Sequence, residues 1–107
     1  MLPDEAHLSD PVRLAAWRKE LLRRGGVVAS ALSQLLDGLE VDLLTLGPSG
    51  PPGDDPILRA RALLSRIDRG IKSVGSRRFG RCAVCEAPLP AAALDEVPWL
   101  SRCAQHP

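Results

Sequence analysis

The sequence predicts a mainly α protein: an antiparallel, coiled-coil-like helical hairpin, led by an N-terminal helix and closed by a small cysteine-bearing module. Three observations carry this. Apolar residues recur at steps of three and four through most of residues 10–78, the signature of helices with one buried stripe. Only 3% of the chain is aromatic (Trp17, Phe79, Trp99) against 45% hydrophobic, so the core must be built from Leu, Val, Ile and Ala, which suits helix-on-helix packing. All three cysteines fall in the closing stretch RFGRCAVCEAPLPAAALDEVPWLSRCAQHP, residues 78–107. A length of 107 residues leaves room for one domain, or one domain with an appended module.

Residues 1–9 are polar and without apolar periodicity, which predicts a flexible tail. Asp10-Pro11 starts the first helix, because Asp is a favoured N-cap and Pro is tolerated at the first helical position. Leu14, Trp17 and Leu21 then step along one face to about Arg24. Gly25-Gly26 follows; two glycines cost roughly 2 kcal/mol relative to alanines inside a helix, which predicts a kink or break, with a continuous helix as the alternative. Val28, Leu32, Leu35, Leu39, Leu43 and Leu46 resume the helical steps, a second stretch of about 20 residues. GPSGPPGDDP, residues 47–56, stops it, since Pro lacks the backbone donor and Gly the backbone restraint that a helix needs.

Asp55-Pro56 repeats the helix start of Asp10-Pro11, and Ile57, Ala60, Leu64, Ile67, Ile71 and Val74 form a regular heptad seam. That helix is expected to end near Gly75 to Arg78. Two arms joined by a ten-residue loop bury their stripes best by folding back on each other, giving a hairpin over residues 27–76 with its tip at 47–56 and a cysteine module at 79–107.

The net charge of +1 hides a segregation along the chain. Residues 27–55 carry Asp37, Glu40, Asp42, Asp54 and Asp55 and no base, whereas residues 57–81 carry seven arginines and Lys72 against the single Asp68. In a folded-back hairpin the acids gather toward the tip and the bases at its foot, a pattern that concerns partners and fields more than fold. The beginning of the chain lacks the features of a secretory signal, and no run of about 18 apolar residues is present to cross a bilayer. The expectation is a cytoplasmic protein with no membrane partner.

Cys82-x2-Cys85, seventeen residues, then Cys103-x2-His106 is the spacing of a two-knuckle zinc site. Each x2 pair sets two donors on one tight turn, and two turns complete a tetrahedron. Three sulfur ligands and one nitrogen leave no open position for water, so the zinc is expected to be structural and to supply folding energy on the order of 10 kcal/mol. A redox pair at Cys82 and Cys85 is the competing reading, but it would be expected beside a strand-helix unit. His106 lies one residue from the end; His7 or a water is the candidate replacement, with His7 otherwise an ordinary exposed histidine.

These residues resemble the DksA/TraR family of bacterial zinc-finger transcription regulators, over roughly Arg59 to His106. Phe79-Gly80 stands where that family has an aromatic-Gly pair before the first knuckle, Leu89-Pro90 where it has Ile or Ile-Pro, Leu94 where it has the Leu of Arg-Leu, and Pro98 where it has the Pro before the second knuckle. Three positions depart from the pattern: His106 replaces the fourth Cys, Glu86 the usual Gly after the first knuckle, and Ala93 the Arg before Leu94. The resemblance implies direct binding to RNA polymerase through its secondary channel, with tip carboxylates near the active-site magnesium. The loop here has no Asp-x-x-Asp-x-Ala tip, so Asp54 and Asp55 are the positional candidates with Asp42 behind them, and Asp55 equally reads as a plain helix cap.

Three function classes follow. The first is a polymerase-binding regulator, whose acidic tip suits a basic-rimmed channel. The second is a small nucleic-acid-binding zinc protein using the basic foot of the hairpin. The third is a helical interaction module pairing through the heptad seam with a partner or a second copy. An enzyme is not expected: the two histidines lie near opposite ends, no nucleophile-base pair is apparent, and no glycine-rich phosphate loop follows a strand.

Overall fold

The computed structural model describes residues 3–42 and 55–106. A short 3-10 helix, Pro3–Ser9, precedes three α-helices: α1 (Pro11–Leu36), α2 (Pro56–Ser73) and α3 (Ala91–Glu96). Among the described residues there is no strand, only an isolated antiparallel bridge between Arg81 and Pro88.

Both long helices start as their sequences demand. An Asp10 carboxylate oxygen accepts from the Val12 N–H at 2.9 Å and an Asp55 oxygen from the Ile57 N–H at 2.8 Å, each cap worth about 1 kcal/mol. The expected break at Gly25-Gly26 does not occur, since α1 runs unbroken through both. Trp17 and Leu21 on one side of the glycines and Val28 and Ala31 on the other are all buried on one face. Breaking the helix would forfeit that shared burial, which outweighs the glycine cost.

The helix also ends earlier than the leucine periodicity predicts. Asp37 is its C-cap and Gly38 turns left-handed at φ 80°. The Gly38 N–H bonds to the Leu35 carbonyl at 3.1 Å and the Leu39 N–H to the Gln34 carbonyl at 2.9 Å. This is the paired 5→2 and 6→1 pattern of a Schellman cap. Leu39, read as part of the helical stripe, therefore lies past the helix end and is 57% exposed. Leu43, Leu46 and nearly all of the 47–56 loop lie outside the described residues.

The helices α1 and α2 pack side by side in opposite directions: Leu21 meets Gly70, and one turn further along α1 Gly25 meets Ile67. On α2 the buried positions are Ala60, Leu63, Ile67 and Gly70, with Leu64, Ile71 and Val74 half-buried beside them. The stripe is thus centred one residue away from the expected seam at several turns, because Leu63 and Gly70 take the buried positions there. A methyl group on Gly70 would come within 3.0 Å of a Leu21 methyl and 3.4 Å of the Trp99 Cα, so the glycine leaves room for three segments to meet.

The C-terminal third does not stand apart. Phe79, Cys82, Leu89 and Leu94 share one core cluster with Trp17, Leu21 and Ile67. Trp17 lies 5.8 Å from the Phe79 ring centre, and its indole N–H donates to an Asp95 carboxylate oxygen at 2.8 Å, which ties α1 to α3. The first residues also depart from the loose tail expected of them. Leu8 packs against Gly80, His7 Nε2 lies 2.7 Å from the Leu89 carbonyl oxygen, and the His7 ring meets Trp17 edge-on at 6.1 Å. No described helix is long and apolar enough to cross a membrane.

Candidate metal centre

Each pair of candidate ligands sits on its own closed turn. In the first, the Glu86 N–H bonds to the Cys82 carbonyl at 2.9 Å and the Cys82 N–H to the Ala87 carbonyl at 2.9 Å. In the second, the His106 N–H bonds to the Cys103 carbonyl at 3.0 Å. The Ala83 N–H reaches the Ser101 carbonyl at 2.7 Å and joins the two turns. The chain between them is anchored by buried Leu89, Leu94 and Pro98, so the second turn is returned to the first by core packing.

Two backbone conformations make the first turn possible. Gly80 has φ 74°, and a Cβ there would overlap the Leu8 side chain; only glycine satisfies both conditions. Glu86 holds φ 62° as a non-glycine residue, a left-handed conformation costing roughly 1 kcal/mol. The backbone at position 86 therefore favours glycine.

The result is a four-donor group. The ligand atoms of Cys82, Cys85, Cys103 and His106 all lie within 4.8 Å of one another. Cys85 and Cys103 sulfurs are 3.7 Å apart, and His106 Nδ1 lies 3.2 Å from the Cys103 sulfur and 3.9 Å from that of Cys82. Two thiolates on one tetrahedral zinc with bonds of about 2.3 Å are separated by roughly 3.8 Å, and a thiolate and an imidazole by roughly 3.5 Å. The donors therefore fit such an ion in both chemistry and spacing. The sulfur separation is far beyond the roughly 2.05 Å of a disulfide, and all three cysteines are free.

The electrostatics favour an ionised first thiol. The Cys85 N–H, followed by those of Cys103 and Val84, points toward the Cys82 sulfur and outweighs desolvation, lowering its pKa to about 6. For Cys85 the balance reverses. The Ala87 N–H pulls its pKa down, but desolvation and the neighbouring Cys82 and Cys103 sulfurs together push it up. Three thiols at these separations do not ionise together without a cation between them.

The structure brings together all four residues that the spacing nominated. His7, the possible substitute ligand, is committed to the Leu89 carbonyl and is half-buried rather than exposed. Of the acidic candidates, Asp55 caps α2 through its side chain, Asp42 is exposed beyond the end of α1, and Asp54 lies outside the described residues. Sequence reasoning did not find the Trp17–Asp95 bond, the close packing of Leu21 and Trp99 on Gly70, or the arginine beside Trp99, where the Arg24 guanidinium sits 5.0 Å above the ring. None of these has a local signal, because each joins residues at least 29 apart.

No family model, curated protein or solved structure matches the chain.

Proposed function

We propose that the chain is a bacterial transcription regulator of the DksA/TraR type that binds RNA polymerase directly, stapled by a structural zinc at Cys82, Cys85, Cys103 and His106. One observation carries the reading. The aromatic-Gly-x-Cys-x2-Cys motif and the second knuckle form a closed four-donor group, fused by a common core to the foot of two opposed helices. A closed Cys3His group with no position for water suits a folding role.

On this reading α1 and α2 are the arms of a coiled-coil-like hairpin, and the polymerase contact is made at its acidic end by Asp42, Asp54 and Asp55. The opposite packing of the arms and the absence of bases between residues 27 and 55 support it, since an acidic projection is steered toward a basic-rimmed channel. The test is a pull-down of core RNA polymerase by the metal-loaded chain at low salt. Retention is expected, and an Asp42→Asn, Asp54→Asn double substitution should weaken it while leaving metal content unchanged. Failure of the unsubstituted chain to bind would overturn the proposal.

A further inference from the structure

Between the C-terminal half of α2 and the knuckle module lies a concave groove of about 730 Å³. Its walls carry Arg66 and Arg69 from one face of α2, then Arg77, Arg78 and Arg81 from the segment leading to the first knuckle, together with Trp99. Glu86 is the one carboxylate among the residues lining it. Arg66, Arg69, Arg77 and Arg78 are exposed and make no ion pair among the described residues. By contrast, Arg23 and Arg24 on α1 are engaged with Glu20, and Lys72, on the outer side of α2, with Asp68. Arg18, Lys19 and Arg61 are likewise exposed and outside those pairs; what sets these four apart is that they line one hollow. Arginines held close together without counter-charges repel one another, and an anion relieves that cost.

We infer that this groove binds the phosphate backbone of single-stranded nucleic acid, with Trp99 offering a face to a base. Three observations favour this ligand. The guanidinium-bearing positions are spread along the 16 residues from Arg66 to Arg81, on α2 and on the segment that follows it, which suits a chain of successive phosphates better than one compact anion. The half-buried indole of Trp99, already braced by Arg24 at 5.0 Å, supplies the aromatic element that base stacking uses. A duplex carries its phosphates on the outside of a wide rod and does not enter a groove of this size. The site contains no array of neutral donors and acceptors to read base edges, so binding is independent of sequence. The inference stands apart from polymerase binding, and its assay contains no polymerase.

The experiment is a fluorescence-anisotropy titration of the full, metal-loaded chain with a labelled oligouridylate of about twelve nucleotides, repeated across a salt series. Binding is expected to fall with salt at a log-log slope of roughly −3, the value for four to five phosphates neutralised on a single strand. Arg66→Gln with Arg69→Gln, and separately Arg77→Gln with Arg78→Gln, should each weaken binding about tenfold and reduce the slope by about 1.4. Trp99→Leu should weaken it about tenfold with the slope unchanged. Arg13→Gln with Arg18→Gln, on α1 away from the groove, should leave it intact. The inference is overturned by absence of binding at low salt or by equal loss in the α1 variant. Equal binding of a duplex, or displacement at matched charge by inorganic tripolyphosphate or by polyglutamate, overturns it as well. The salt slope of the unsubstituted chain decides the matter even where a variant loses its metal.

Discussion

The two ends of the α1–α2 pair are built on different principles. At the knuckle end, Trp17, Leu21, Ile67 and Gly70 meet Phe79, Leu89 and Leu94, and even the Pro3–Ser9 helix contributes Leu8 and His7. Segments from four parts of the chain fill one core there. At the other end, among the described residues, the buried side chains are Val28 and Ala31 of α1 and Ala60 and Leu63 of α2, and the helix stops at a Schellman cap. A core assembled from four segments leaves a truncated side chain more fixed neighbours than a contact between two helices, which can close up on the gap, so the same substitution costs more at the knuckle end.

The sharpest way to break the comparison is to remove a ligand. Cys82→Ser should abolish metal stoichiometry and unfold the C-terminal third, since structural zinc contributes on the order of 10 kcal/mol. Native-state hydrogen exchange should then show lost protection around Phe79 to Trp99 and a smaller loss at Val28 to Leu36. Retention of both metal and protection would overturn the metal reading. Paired truncations come next. Leu21→Ala should cost about 4 kcal/mol and Leu63→Ala about 2 kcal/mol in denaturant unfolding, and equal costs would show that the two ends are packed alike.

Backbone substitutions sharpen the contrast within the knuckle end. Gly80→Ala should destabilise by about 2 kcal/mol, because it adds a left-handed penalty to a clash with Leu8. Glu86→Gly should stabilise by about 1 kcal/mol, a rise of several degrees in melting temperature, by relieving φ 62° at an exposed turn. The smallest effect is spectroscopic. Because Cys82 has its pKa lowered to about 6, below the ordinary thiol value, the stabilisation of its thiolate is present above the unfolded value and lost as pH falls through about 6. Metal-free protein whose turns stay closed should therefore show a first step in ultraviolet thiolate absorbance near that pH, removed by Cys82→Ser, whereas a single step at the ordinary thiol value would show that the turns open without the metal.

Much of the site was legible because ligand spacing is a local property. Cys82-x2-Cys85 and Cys103-x2-His106 each need only one turn, and those turns form as expected. The two helix starts were legible for the same reason, an Asp oxygen reaching an N–H two residues away. Even the true end of α1 is written in Asp37-Gly38, but the leucine periodicity running through it to Leu39 gave a competing signal, and a capping glycine prevailed over an apolar stripe with no partner to cover it. The placement of Leu63 and Gly70 at the centre of the interface was not legible, since a stripe defined by steps of three and four fixes a face only to within one residue.

By itself the sequence determined where helices begin, which four side chains are donors of the right kind, and how charge is divided along the chain; these depend on backbone bonds and atom types within a few residues. Only the tertiary structure decided that α1 continues through Gly25-Gly26, that Trp17 and Asp95 join its first turns to α3, and that arginines from α2 and the knuckle segment line one hollow beside Trp99. The physical reason is that burial and charge convergence are sums over neighbours from distant parts of the chain. Two glycines that would weaken an isolated helix are carried by the core on either side of them.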